Sequence, residues 1–124
     1  MKRTWSVLNV LKHLCPEFKR AFVKLTELYL FLNKLEALDL RPIAFQLVYP
    51  TDREGWTLEQ TRRAIKRYKR FLLWHYLDPN RAMNPSQEVD RVWHCHILDT
   101  KKYLEDCNWL FGYILHHFPY GKAM

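Results

Sequence analysis

TLEQTRRAIKRYKRFLLWHY, residues 57–76, decides the fold class of this chain. Thr57-Leu58-Glu59-Gln60 has the Ser/Thr-x-x-Glu/Gln form of a capping box, in which two side chains satisfy backbone amides that the start of a helix leaves without partners. Leu58, Ile65, Tyr68, Phe71, Leu72 and Tyr76 then follow at helical spacing and share one face. Asp78-Pro79-Asn80 ends the pattern, because a proline cannot continue a helix. Period-two alternation, the mark of a half-buried strand, is sustained nowhere in the chain.

The same spacing extends outward in both directions. Upstream, Phe18, Phe22, Leu25, Leu28, Leu32 and Leu35 predict a core-facing stripe on a first helical region from about Trp5 to Ala37, restarted at Pro16. Arg41-Pro42 breaks it, and Ile43 to Tyr49 fits either an extended segment or a short helix. Downstream, Ser86 is the N-cap of a helix ending near Leu98, with Glu88 and Asp90 favourable to its dipole. Asp99 or Thr100 caps another from about Lys101 to Phe111, stopped near Gly112. The expected architecture is all-α: one compact helical domain over residues 1–124, of about five helices, with a C-terminal helical hairpin.

The 124 residues are enough for a single core without disulfide staples, and three glycines exclude collagen-like and glycine-rich low-complexity classes. Three cysteines cannot all pair within one chain, which favours a reducing, cytoplasmic setting. Asn9, Lys12 and His13 interrupt the apolar stretch after Met1-Lys2-Arg3, so no secretory leader is expected. The uncharged run from Cys107 to Gly121 contains Gly112, His116, His117 and Pro119 and is too short to span a bilayer, so no membrane partner is expected either.

The chemistry concentrates in Asp90-Arg91-Val92-Trp93-His94-Cys95-His96, followed by Tyr103, Cys107 and His116-His117. Asp90 and His94 lie one helical turn apart on a common face. His94 and His96 are about 200° apart on a regular helix and cannot both address one point unless the helix ends between them. If the hairpin turns at Leu98-Asp99, Asp90 comes opposite Cys107 and His94 opposite Tyr103, with His117 able to fold back over them. Asp90, His94, Cys107 and His117 are the candidate metal ligands, with His96 joining them if the helix ends locally. A carboxylate, imidazoles and a thiolate suit zinc, or iron if the thiolate stays out of the coordination sphere. The competing reading makes Trp93 and Ile97 core residues, Asp90 and His94 a hydrogen-bonded pair, and Cys107 a small buried hydrophobe; a metal-free Cys/His or Asp/His catalytic pair is the third. His75 is read as a core histidine.

Pro85-Ser86-x-x-Val89-Asp90-x-Val92-Trp93-His94-x-His96-Ile97-Leu98-Asp99-x-x-x-Tyr103-x-x-Asp106-Cys107, with His117-x-Pro119, resembles the signature of the glycine-rich domain-containing protein-like family over roughly Trp56 to Gly121. The resemblance implies that Asp90, Trp93, His94, His96, Cys107 and His117 act together. It implies no RNA role, since this chain lacks the glycine-rich tract of the plant members.

Charge is localised. Lysine and arginine number 20 against 13 aspartates and glutamates, for a net charge of +7, and Arg62, Arg63, Lys66, Arg67, Lys69 and Arg70 account for most of that excess. These six flank the apolar stripe of the capped helix as a cationic face with Glu59 as its main acidic neighbour. They are the candidate contacts for nucleic acid or an acidic protein partner. No phosphate-binding loop, dinucleotide fingerprint, nucleophile elbow or H-E-x-x-H motif is present. The expected function is a small metal-binding helical protein, in which any catalysis would be metal activation of water or a bound substrate; the alternative is a metal-free binding module working through the basic helix.

Overall fold

The computed structural model describes residues 6–118. Trp5, the expected start of the first helix, and Pro119 to Gly121 lie outside the described residues. Among the described residues all regular structure is helical: α1 (Val7–Lys12), α2 (Pro16–Ala37), α3 (Arg41–Val48), α4 (Leu58–Leu77), α5 (Gln87–Leu98) and α6 (Thr100–Phe111). The chain divides into two compact units, residues 1–34 and 35–124.

In the first unit Pro16 opens α2, where its missing N–H costs nothing. Of the stripe expected to face a core, Phe18, Phe22, Leu25 and Leu32 are exposed, Leu28 is half-buried and, beyond the unit boundary, Leu35 is buried, while Phe31, outside that stripe, is buried. Apolar spacing names a face of a helix, and it does not say whether anything covers that face.

The second unit is where the sequence signals converge. Of residues 43–49, open between strand and helix, 43–48 are helical, with Pro42 in the first turn of α3 and the Asp39 carboxylate accepting the Arg41 N–H at 3.0 Å, and Tyr49 is the C-cap. Ile43 and Leu47, four apart, are the buried face. Gly55 follows in the loop to α4, and a Cβ there would collide with the Val48 carbonyl oxygen, so only glycine lets the loop pass this close. Thr57 caps α4 by accepting the Gln60 N–H at 3.1 Å, Ser86 caps α5 by accepting that of Val89 at 3.3 Å, and Asp99 caps α6 through Lys102 N–H. Gly112 closes α6 in the left-handed conformation, φ 77°.

α5 packs on α3, α4 and α6. Its inward face is Val89, Val92, Trp93 and His96, set against Ala64, Tyr68, Phe71 and Leu72 of α4 and Tyr103, Cys107 and Leu110 of α6, all buried. A residue one position round from this face, such as Asp90 or His94, is left at the rim. No described helix is long and apolar enough to cross a membrane.

Candidate metal centre

Asp90 and His94 project from that rim of α5, one turn apart, with side-chain exposures of 34% and 55%. The residues after Gly112 bring the third group. Trp93 on α5 donates its indole N–H to the Tyr103 hydroxyl at 2.9 Å, and that hydroxyl in turn donates to the Leu115 carbonyl. With Leu115 buried and fastened in this way, His117 lies on Trp93, ring centres 4.3 Å apart, and its ring centre is 4.6 Å from that of His94.

His117 Nε2 is 2.6 Å from Asp90 Oδ1 and 3.1 Å from His94 Nε2, and His94 Nε2 is 3.5 Å from Asp90 Oδ2. No placement of protons on two neutral imidazoles gives all three contacts a hydrogen bond. If His117 Nε2 carries its proton toward Asp90, the His94 nitrogen either presents a second N–H to it or faces the carboxylate with a bare lone pair. If the proton sits on His94 and points at His117, a bare nitrogen faces the Asp90 carboxylate. One ligand atom from each of the three residues lies within 4.8 Å of the others. A carboxylate and two imidazole nitrogens converging in this way are residue types that could hold a metal ion.

Two clefts, of about 740 and 540 Å³, share Gln87 and Asp90 on their walls. Trp93, Leu115 and His117 line the larger, and His94, Cys95 and Arg91 the smaller.

Residues 35–124 match the family described as UCP032817-like. The chain belongs to this family. The UCP032817-like family is uncharacterised, and it replaces the resemblance to glycine-rich domain-containing proteins, which the comparison does not support. The V-D-x-x-W-H-x-H string is a poor guide to that kinship because most of it answers to local packing: Val89, Trp93 and His96 are simply the buried face of α5. No curated protein and no solved structure matches this member of the UCP032817-like family.

The remaining candidates lie elsewhere. His96 is on the far side of α5, almost fully buried, with Nδ1 2.8 Å from the Tyr68 hydroxyl and Nε2 2.7 Å from Asp106 Oδ2. Lys102 Nζ lies 3.0 Å from the same carboxylate oxygen. Burial holds the Tyr68 hydroxyl well above its ordinary pKa and the His96 ring below its own, although Asp106 favours the charged ring. Tyr68 thus donates to Nδ1 and Nε2–H donates to Asp106, so His96 has no lone pair left for a metal. Cys107 is buried, and burial pushes its thiol pKa up, which disfavours the thiolate a metal needs. The expected convergence of His94 with Tyr103 and Cys107 does not occur, because the α5–α6 pair closes through Trp93 and His96 rather than through Asp90 and His94. His116 is exposed. His75 is buried with Nε2 2.8 Å from the Tyr113 hydroxyl and Nδ1 without a partner.

Sequence reasoning missed the Tyr68–His96–Asp106–Lys102 chain. Its signal was present in part: Lys102 and Asp106 are one turn apart, and Tyr68 lies on the apolar stripe of α4. Nothing in the spacing pairs residue 68 with residue 96.

The basic face is divided by the structure. Arg63 and Arg67, one turn apart, lie 3.8 and 3.5 Å from the Glu88 carboxylate of α5, so Glu88 rather than Glu59 is their acidic neighbour. Arg62, Lys66 and Lys69 line a separate groove against α3.

Proposed function

We propose that Asp90, His94 and His117 hold a divalent transition metal, zinc in the first place and iron in the second, and that this protein is a metal-binding helical protein whose centre can activate water or a bound substrate. The convergence of three ligand atoms, whose three contacts no protonation pattern makes all into hydrogen bonds, carries the reading. A tetrahedral zinc ion with bonds of about 2.0 to 2.1 Å keeps its ligand atoms about 3.3 Å apart, close to the separations in the cluster. Two imidazoles and one carboxylate suit zinc or ferrous iron, and three protein ligands leave coordination positions open, as catalytic sites do and closed structural sites do not. The adjoining clefts give such positions somewhere to face. The Trp93–Tyr103–Leu115 fastening orients the His117 ring, a positioning role of the kind that tunes metal affinity.

The test is metal analysis of protein purified without a polyhistidine tag, together with titration of zinc and cobalt into stripped protein. One equivalent per chain is expected, with a cobalt spectrum that His94→Ala and His117→Ala each abolish and Cys107→Ser leaves intact. Absence of stoichiometric uptake, or uptake indifferent to both histidine variants, overturns the proposal.

A further inference from the structure

The six cations of α4 are not one patch: Arg63 and Arg67 face Glu88, and Arg62, Lys66 and Lys69 frame a groove of about 520 Å³ between α3 and α4. Its floor is aliphatic: Ala44 and Val48 from α3, Leu58 and Ile65 from α4. Phe45 and Tyr49 stand at the α3 edge, ring centres 5.1 Å apart, and with Leu58 they are more than half exposed. Arg62, Lys66 and Lys69 form the α4 edge at spacing i, i+4, i+7, a single row along one side of the helix. Neither Arg62 nor Lys66 has an ion pair or hydrogen bond among the described residues, whereas Lys69 donates to the Glu36 carbonyl at 3.3 Å. No carboxylate lines the groove.

We propose that this groove docks an amphipathic helix of a partner protein, with apolar residues at i, i+4 and i+7 set into the floor and aspartates or glutamates along the flank that meets Arg62, Lys66 and Lys69. The dimensions and the charge both select this occupant. Leu58 to Lys69 spans about 16 Å of α4 at the helical rise of about 1.5 Å per residue, which matches three turns of a docked helix. A nucleic acid fits less well, since the aliphatic floor offers base edges no donors or acceptors and a single row of three cations neutralises few phosphates. The exposed aromatics alone would suit stacking on bases, which makes RNA the competitor to test. The inference is independent of the metal centre, which involves none of these residues.

The experiment selects a displayed library of short helical peptides, randomised over one face and its flanks, on the full-length protein. The expected consensus has Leu, Ile or Phe at i, i+4, i+7 and acidic residues on one flank. A synthetic peptide of that sequence loses about tenfold or more in affinity for the exposed-site double variant Arg62→Glu, Lys66→Glu, and loses affinity for Phe45→Ser. Replacing its acids by lysines restores binding to the double variant and not to wild type. Arg63→Gln with Arg67→Gln serves as a control that changes affinity less than about threefold, since rim charges elsewhere act only at long range. A consensus without acids, a peptide indifferent to the double variant, or a uridine oligonucleotide that binds more tightly than the selected peptide overturns the proposal. So does a dimer in sedimentation that the double variant dissolves, because a second copy then covers the groove.

Discussion

The Asp90–His94–His117 cluster and the Tyr68–His96–Asp106–Lys102 chain use the same residue types, share α5, and have histidines two positions apart, yet their protons are distributed in opposite ways. In the buried chain each donor meets an acceptor: tyrosine to imidazole, imidazole to carboxylate, ammonium to the same carboxylate oxygen. In the rim cluster three ligand atoms converge, and no protonation pattern makes all three of their contacts hydrogen bonds. A satisfied buried network makes one core arrangement preferable to others, because any partner left over inside the protein is expensive. The rim cluster is half-open to solvent, and is the proposed place of a cation instead. The lesson is that histidine density alone does not separate a rim histidine from a core one; burial and the partners at each nitrogen do.

The sharpest way to break this contrast is through metal affinity. His94→Ala or His117→Ala is expected to lower zinc affinity by about 100-fold or more, removal of a ligand being more damaging than the 10- to 100-fold cost of removing an orienting partner. Calorimetric titration measures it, and a variant that still binds as wild type does would show that the cluster is an ordinary hydrogen-bonded group.

The converse change tests the other half. Asp106→Ala leaves His96 Nε2–H and the Lys102 ammonium without their acceptor, and an expected loss of about 2 to 4 kcal/mol of stability follows from abandoning buried hydrogen bonds to a charged group. Urea denaturation of metal-free protein reads it directly. His94→Ala in the same assay is expected to change stability by less than about 0.5 kcal/mol, as for other exposed positions. Equal losses in the two variants would erase the distinction between core network and rim cluster.

His75 sharpens the comparison through pH, since its burial is only half compensated. Burial holds its pKa below the ordinary 6.5, so as the pH falls the unfolded chain binds the proton first. Stability is therefore level above about 6.5 and declines as the pH drops below it, toward the lower folded-state value. His75→Leu is expected to flatten that decline by up to one proton's contribution, observed as a smaller fall in melting temperature between neutral and acid pH. A variant with an unchanged slope would assign the acid sensitivity to other groups.

The smallest effect is expected at the basic helix. Arg62→Gln, Lys66→Gln and Lys69→Gln together should leave metal content unchanged and stability within about 0.5 kcal/mol, since exposed charges contribute little. Loss of metal in this variant would tie the α3–α4 groove to the centre and end their separation.

The helices of residues 35–124 were legible because their signals are local. Thr57, Ser86 and Asp99 each offer a side-chain oxygen where a helix start leaves amides without partners, Gly112 supplies the left-handed residue that ends α6, and apolar spacing names the buried face of α4. The one-turn relation of Asp90 to His94 and the divergence of His94 from His96 also follow from helical geometry alone. Tertiary structure decided the rest. Which α5 face meets α6 depends on burying Trp93 and His96 together, and that choice removes Cys107 from the rim and leaves Asp90 and His94 on it. The position of His117 depends on the Tyr103 hydroxyl holding the Leu115 carbonyl, a contact across twelve residues that no spacing rule contains. Exposure along α2, the pairing of Tyr68 with His96, and the division of one basic run between Glu88 and an apolar groove are likewise matters of what packs against each helix. Sequence by itself specifies which residues share a face; only the assembled helices determine what that face meets.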